Sequence, residues 1–321
     1  MTHAILARQS GGPEVLELAE VDRPVPGPGQ LLIKVAAVGV NFIDTYKRSG
    51  VYKVQYPFTP GSEASGTVEE LGDGVTGFAA GDRVATAEGV NCYAGYALVD
   101  ADKALPVPRG VDDFTAAALP LQGITAHYLI NSSFKVEPGQ TVLLHAGAGG
   151  VGLLLIQLLK ARGAHVITTV STDEKEALAR GAGADHVLRY DGFAAKVREL
   201  TDGAGAHVVY DGVGKDTCDD SLAALRIRGT LVLFGAASGP VPPFDPQRLN
   251  AGGSLYLTRP TINHFLRDAQ ERRWRSDELF AAVADGSLKV RIGARYDLAD
   301  AAAAHTDLEQ RRTTGKVILV P

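Results

Sequence analysis

Apolar and polar residues follow two different textures along this chain. Up to about residue 120, short apolar runs are separated by turn residues, and no helical period runs through them. Leu31-Leu32-Ile33-Lys34-Val35-Ala36-Ala37-Val38 reads as a strand entered from a Pro/Gly turn, Pro24 to Gly29. Thr67 to Leu71 reads as a strand closed by Gly72-Asp73-Gly74, and Gly81-Asp82 as a turn into a strand at Val84. This pattern predicts an irregular, mostly β domain.

The texture changes at Asp112, which is placed to cap a helix through Ala116, Ala117, Ala118 and Leu119 that Pro120 interrupts. From Thr141, strands and helices alternate. Thr141–His145, His165–Val170, His207–Asp211 and Gly229–Phe234 read as strands. Val151–Arg162 and Thr172–Arg180 read as helices, the first ended by Gly163 as a C-terminal cap. Such alternation implies right-handed crossovers and a doubly wound parallel sheet covered on both faces. A long helix is expected from Asn263 to Asp285, and Lys316–Val320 as a last strand returning to the first domain.

Composition narrows the class. A length of 321 residues favours two domains, and 45% hydrophobic with 21% charged residues excludes whole-chain disorder. Thirty-two basic against 37 acidic residues give a net charge of −5, which argues against a nucleic-acid partner and offers no polybasic membrane patch. Two cysteines, Cys92 and Cys218, fit a reduced compartment and cannot build a four-thiolate zinc site. The N-terminus lacks a signal-peptide pattern and the longest apolar stretch, Val151–Leu159, is too short to span a membrane, so a cytoplasmic location is the default expectation.

The strongest chemical signal lies between a strand and a helix. Gly147, Gly149 and Gly152 fit G-x-G-x-x-G, with Gly150 and Val151 between the last two. In this reading Gly147 permits the tight turn, Gly149 lets a pyrophosphate approach the backbone, and Gly152 lets the helix pack on the strand. The amide groups opening the helix then attract phosphate. NAD sites usually place Asp or Glu about 20 residues further on. Here Ser171 stands in that place, and with Thr172 and Lys175 it suits a 2′-phosphate, pointing to NADPH. Asp173 and Glu174, beside Lys175, weaken that reading.

At this point the chain resembles the zinc-independent branch of the medium-chain dehydrogenases/reductases, and within it the NADPH:quinone oxidoreductases, including zeta-crystallin. The likeness covers nearly the whole chain: Gly11–Leu16, Gly39–Tyr46 with Arg48-Ser49-Gly50, Ala80–Val84, His145–Gly152, Val209–Gly214, Gly253–Pro260 and Gly315-Lys316. The runs Asn41-Phe42-Ile43-Asp44 and Thr258-Arg259-Pro260 carry it most specifically. The resemblance implies a GroES-like, mostly β substrate domain over 1–122 and 264–321, a Rossmann NADP-binding domain over 123–263, a homodimer, and an active site in the interdomain cleft. By position it places Asn41 and Tyr46 near the nicotinamide, Tyr52 and Gln122 in the cleft, and Thr125 close to the cofactor. Ser171, Lys175 and Tyr190 would hold the 2′-phosphate end, Phe234-Gly235 and Thr258-Arg259 would border the cofactor, and Arg311 and Lys316 would close over it.

Zinc-dependent relatives need a Cys after the Gly-Val turn and a His in Gly-His-Glu; this chain has Asn41 and Ser62 there, with Glu63 following in a structural role. Neither is a usual zinc ligand, so no metal is expected. Without a Lewis acid, quinones and other conjugated carbonyls are favoured over simple alcohols. Asn41 and Tyr46 either bond a quinone oxygen as charge develops or hold the nicotinamide amide and the loop. The alternatives are an NADPH-dependent enoyl or enone reductase on the same fold, a non-catalytic NADPH-binding protein, and a zinc-bearing NAD-linked alcohol dehydrogenase. His127 and His145 read as packing or loop residues, the cysteines as inert, Trp274 among its arginines as an exposed helix turn, and Asp211 as either a ligand contact or a loop cap.

Overall fold

The computed structural model describes all residues, 1–321. It divides into two compact units, Met1–Ile124 with Asp268–Pro321, and Thr125–Arg267. The divisions fall at 124/125, inside the helix Pro120–Tyr128, and at 267/268.

The first unit is built on the strand Gln30–Val40, whose apolar positions are buried on both faces. It pairs antiparallel with Ala64–Leu71, Tyr96–Asp100 and Lys316–Val320. The C-terminal strand does return to this unit: Val317 faces Val40, which sets Lys316 beside the residue that follows the long strand, Asn41. Ile292–Asp297 extends the seven-stranded sheet beyond Lys316–Val320. Ile5, Leu31, Ile33, Val38, Val68, Val317 and Leu319 form the core. One helix here escaped the sequence pattern. Phe42–Arg48 spans seven residues, too short to show a period, although Asn41 and Asp44 stand at capping-box spacing before it.

The second unit carries a six-stranded sheet ordered His186–Leu188, His165–Thr169, Thr141–Leu144, Ala206–Asp211, Leu225–Leu233, Tyr256–Thr258. Every pairing in it is parallel. This is the 3-2-1-4-5-6 order of a doubly wound Rossmann sheet, in which ligands bind beyond the carboxyl ends where the order reverses. That reversal lies between Thr141–Leu144 and Ala206–Asp211. Leu143, Ile167, Phe193, Val209 and Leu231 fill the core.

Two helices depart from expectation. Asp112 does cap Asp113–Ala118, accepting from the Thr115 N–H at 3.0 Å, but Pro120 opens a second helix instead of merely ending the first. Proline suits a first helical position because its missing donor would be unpaired there. The helix expected over 263–285 runs only from Ala269 to Ala284. Asp268 is extended and accepts from the Glu271 N–H at 2.8 Å, so the true start is this cap, and a 3-10 turn, Ile262–Phe265, precedes it. Along that helix Arg272 and Arg275 are buried, Arg272 on Glu88 and Arg275 on Glu271, so the exposed-turn reading holds for Trp274 and Arg273 but not for these two.

Candidate active site

The glycine loop joins the strand Thr141–Leu144 to the helix Gly150–Ala161. The left-handed residue in it is Ala146, with φ +56°, so Gly147 is not the turn-former expected. Gly147 is needed for a different reason: a Cβ there would overlap the Thr168 side chain of the neighbouring strand. A Cβ at Gly152 would run into the Ala146 carbonyl and come within 2.9 Å of Gly147 Cα, so close helix–strand packing does depend on it. At Gly149 the nearest obstacle is the Ala146 oxygen at 3.2 Å, which leaves its other side open. Gly149 heads a twelve-residue helix with no side-chain cap on its amide groups. Open backbone, free amide donors and the helix dipole together fit a pyrophosphate.

Ser171 and Thr172 lie exposed beyond the strand His165–Thr169. Thr172 caps the helix Asp173–Gly181 through the Lys175 N–H at 3.2 Å, and Lys175 Nζ stands 3.5 Å from Ser171 Oγ. Two of the nearby acids are engaged elsewhere: Asp173 pairs with Arg189, and Glu176 with Arg180 and Arg189; Glu174 is exposed. The carboxylate of Asp173 that weakened the phosphate reading therefore has its own cation. Tyr190 follows the strand His186–Leu188 and stacks on His145 with centroids 6.0 Å apart. Phe234 N–H donates to Asp211 O at 2.8 Å, and a Cβ at Gly235 would approach Gly212 O to 2.5 Å. Thr258 is on the last strand of the sheet, and Arg259 is exposed beside it. Thr125 is buried and Gln122 half-buried on the helix Pro120–Tyr128.

The first unit gathers a buried polar cluster. Asn41 Nδ2 donates to Gly39 O at 3.2 Å and to Glu63 Oε2 at 2.8 Å, while its Oδ1 accepts from Lys316 Nζ at 2.7 Å. Glu63 also accepts from Leu121 N–H at 2.7 Å and pairs with the Lys316 ammonium. Lys316 is 1% exposed, so it does not reach out over a cofactor as expected; its charge is matched by Glu63. Burial pulls the Lys316 pKa below the ordinary amine range, and Glu63 opposes that pull. Gly39 makes room for the pair, since a Cβ there would overlap the Glu63 carboxylate. Both Asn41 amide hydrogens are committed, so Asn41 cannot also donate to a quinone oxygen; one Oδ1 lone pair remains.

Asp44, Tyr93, His305 and Arg48 extend this cluster; sequence reasoning met Asp44 and Arg48 only inside motifs and assigned none of the four a role. Asp44 accepts from Asn41 N–H at 3.0 Å and from Ser62 Oγ at 3.3 Å, and Ser62 also accepts from Lys47 Nζ at 3.0 Å. Arg48 can only donate, so His305 Nδ1 accepts from it at 3.1 Å, and Nε2–H faces Tyr93 Oη at 2.9 Å. Burial is the first cause holding Asp44 at about 6, up from 3.8. Burial, then Arg48, holds His305 at about 3, down from 6.5.

The two shifts act oppositely on stability. Between pH 6.5 and about 3 the unfolded His305 binds the extra proton, so its contribution is present above 6.5 and lost on acidification. Between about 6 and 3.8 the folded Asp44 binds the extra proton, so acidification relieves the cost of its buried charge. Urea unfolding from pH 7 to 4 is therefore expected to show a steeper acid loss in Asp44→Asn and a shallower one in His305→Gln. Each change alters the slope by up to about 1.4 kcal/mol per pH unit.

Tyr46 packs against Phe42 and Tyr52, the tyrosine rings meeting edge-on at 5.7 Å, and Tyr52 is 43% exposed. Arg311 is exposed in a left-handed turn at φ +59°. The structure supports the inert reading of the cysteines: both are buried, with the Cys92 thiol pushed up to about 12 and Cys218 to about 11. Asp211 takes the loop-cap role, accepting from Val213 and Gly214 N–H at 2.8 and 2.9 Å. No three His, Cys, Asp or Glu side chains gather where they could hold a metal ion. No helix is long and apolar enough to cross a membrane.

A doubly wound sheet with an open glycine loop, joined to a β unit with a buried Asn-Glu-Lys cluster, defines a dinucleotide-dependent oxidoreductase of the medium-chain type. Family models agree: residues 27–130 match the alcohol dehydrogenase GroES-like domain and 150–280 the zinc-binding dehydrogenase domain. A quinone oxidoreductase of Pseudomonas aeruginosa is 44% identical over 97% of both chains. A 2-haloacrylate reductase of a Burkholderia species is 41% identical over 100% of this chain and 99% of its own. The structure of mycobacterial Rv1454c complexed with NADPH superposes with a TM-score of 0.98 at 54% identity, covering 99% of this chain and 100% of its own. The chain belongs to the quinone oxidoreductase family of the medium-chain dehydrogenases/reductases.

Proposed function

We propose that this chain reduces quinones at the expense of NADPH and does so without zinc. The observation that carries the reading is the open glycine loop, followed at the next strand end by Ser171 where an NAD site would hold a carboxylate. When bound, NADPH would supply the reducing equivalents that the quinone accepts, with protons taken from solvent.

The chain's own residues do the rest. Backbone amides at the head of Gly150–Ala161 hold the pyrophosphate, and Ser171, Thr172 and Lys175 hold the 2′-phosphate. The spare Oδ1 lone pair of Asn41 is suited to accept from the nicotinamide carboxamide, the second of the roles weighed for it. Tyr46 and the exposed Tyr52 offer an aromatic face to a planar acceptor. Metal is disfavoured by charge: Asn41 Oδ1 and Ser62 Oγ each accept from a lysine ammonium, at 2.7 and 3.0 Å, and two such cations would repel Zn²⁺. A homodimer completes the reading. The strand Tyr256–Thr258 is a sheet edge with Tyr256 60% exposed, and such an edge can take up a second copy.

The likeness to a 2-haloacrylate reductase favours one other reading, reduction of an activated alkene on the same machinery. A panel of 1,4-quinones and α,β-unsaturated acids and ketones, each with NADPH, separates the two. The proposal expects kcat/KM for the best quinone to exceed that for the best enone by at least about tenfold, a difference of about 1.4 kcal/mol in transition-state stabilisation. Preference for an enone or haloacrylate would replace it.

A further inference from the structure

Beneath the glycine loop, a closed set of polar side chains fills the place where the strand order of the second unit reverses. His145 follows the strand Thr141–Leu144, Thr169 ends His165–Thr169, and Asp211 ends Ala206–Asp211. His145 lies 2.8 Å from Thr169 Oγ1 through Nδ1 and 2.9 Å from Ser221 Oγ through Nε2. Ser221 and Thr217 in turn donate to Asp211 Oδ2 at 2.8 and 2.7 Å. All these side chains are buried.

With the imidazole neutral, the form that burial favours, the donors allow one arrangement. A carboxylate only accepts, so the Ser221 hydroxyl proton points to Asp211 and its oxygen accepts from His145 Nε2–H. Nδ1 then has a lone pair and accepts from Thr169 O–H. The neutral imidazole is then held in a single tautomer. The hydroxyl sits between imidazole and carboxylate, buried and already donating, so this is not a nucleophilic triad.

We propose that His145 is a positioning residue for the cofactor, fixing the phosphate loop relative to the Ser171–Lys175 turn and Tyr190. His145 follows one strand end and Thr169 closes the next, while Ser221, on the helix Cys218–Ala223, links the imidazole to Asp211 at a third strand end; ligands of a doubly wound sheet bind at those ends. Gly147 N–H already donates to Thr169 O at 3.1 Å, so the Thr169 side chain and the glycine loop share one anchor. Ser171 is two residues beyond it. On the imidazole's other contacts, Tyr190 stacks at 6.0 Å and Phe193 meets it edge-on at 4.8 Å. The imidazole thus joins the pyrophosphate end of the site to the adenosine 2′-phosphate end without touching reacting atoms. The inference rests on the NADPH reading of the same site.

Calorimetric Kd values for NADPH and NADH, with the melting temperature of the unliganded protein, test it. Thr169→Val keeps the shape and removes the hydroxyl; Thr169→Ser keeps the hydroxyl. Thr169→Val and His145→Phe are expected to weaken NADPH about tenfold and NADH no more than about threefold, because the displaced turn serves the 2′-phosphate. Thr169→Ser is expected to stay within about twofold of the parent for both. Should His145→Phe fail to fold, the Thr169 pair decides. Equal weakening of both nucleotides, or unchanged Kd values with a lowered melting temperature, would overturn the positioning role. If the parent bound neither nucleotide, the dinucleotide reading itself would fall, and this inference with it.

Discussion

Replacing Lys316 with methionine is expected to destabilise the protein by about 3–5 kcal/mol, the cost of leaving a buried charge without its partner. Glu63 is 0% exposed and has three donors: Asn41 Nδ2, Leu121 N–H and the Lys316 ammonium. Only the last carries a full charge. Methionine fills much of the same volume, so the loss reports electrostatics more than packing. The double variant Lys316→Met/Glu63→Gln removes both charges; its one amide oxygen replaces only one of the two oxygens that accept from Leu121 N–H and Asn41 Nδ2, so it is expected to be more stable than Lys316→Met alone without reaching the parent. Urea unfolding of the parent, both single variants and the double variant closes the cycle. Additive losses in the double variant would mean that the two charges do not depend on each other.

In the phosphate loop, Gly152→Ala and Gly149→Ala are expected to fail differently. At Gly152 the added methyl meets backbone, the Ala146 carbonyl and Gly147 Cα, so the helix must shift. Both stability and NADPH affinity fall, the affinity by about 100-fold, the scale on which a misplacement of about 1 Å acts. At Gly149 the nearest atom stands 3.2 Å from the methyl, which the free chain accommodates with a shift of a few tenths of an ångström. The melting temperature then stays near that of the parent while NADPH binding weakens by at least about tenfold, because the methyl occupies the pyrophosphate's approach. Thermal melts beside calorimetric titrations check the contrast. If Gly149→Ala bound NADPH as tightly as the parent, the pyrophosphate would lie elsewhere.

Local chemistry was legible in the sequence; pairing across the chain was not. The strand–loop–helix around Gly147–Gly152, the Asp112 cap and Ser171 at the next strand end are read from neighbours a few residues apart, and the structure places them so. The cap at Asp268, with Glu271 three residues on, was equally present in the sequence and marks the start that the apolar pattern alone put too early. Lys316 and Glu63 are 253 positions apart, and only the register of Val317 against Val40 brings them together. No spacing rule reaches that far, so Lys316 was expected at the cofactor and Glu63 only as an undefined structural residue. His145 was read only as a packing or loop residue for the same reason: its partners come from three other segments, which the fold alone brings together. Ala146 in place of Gly147 at the left-handed position reflects a choice between two small residues that composition does not resolve.

The account's central claim is tested most directly by the steady-state rate with one good quinone at varied NADPH and varied NADH. The account predicts kcat/KM at least about tenfold higher with NADPH, because the proposed pocket of Ser171, Thr172 and Lys175 lacks the carboxylate that would repel a 2′-phosphate. Equal efficiency, or a preference for NADH, would contradict it.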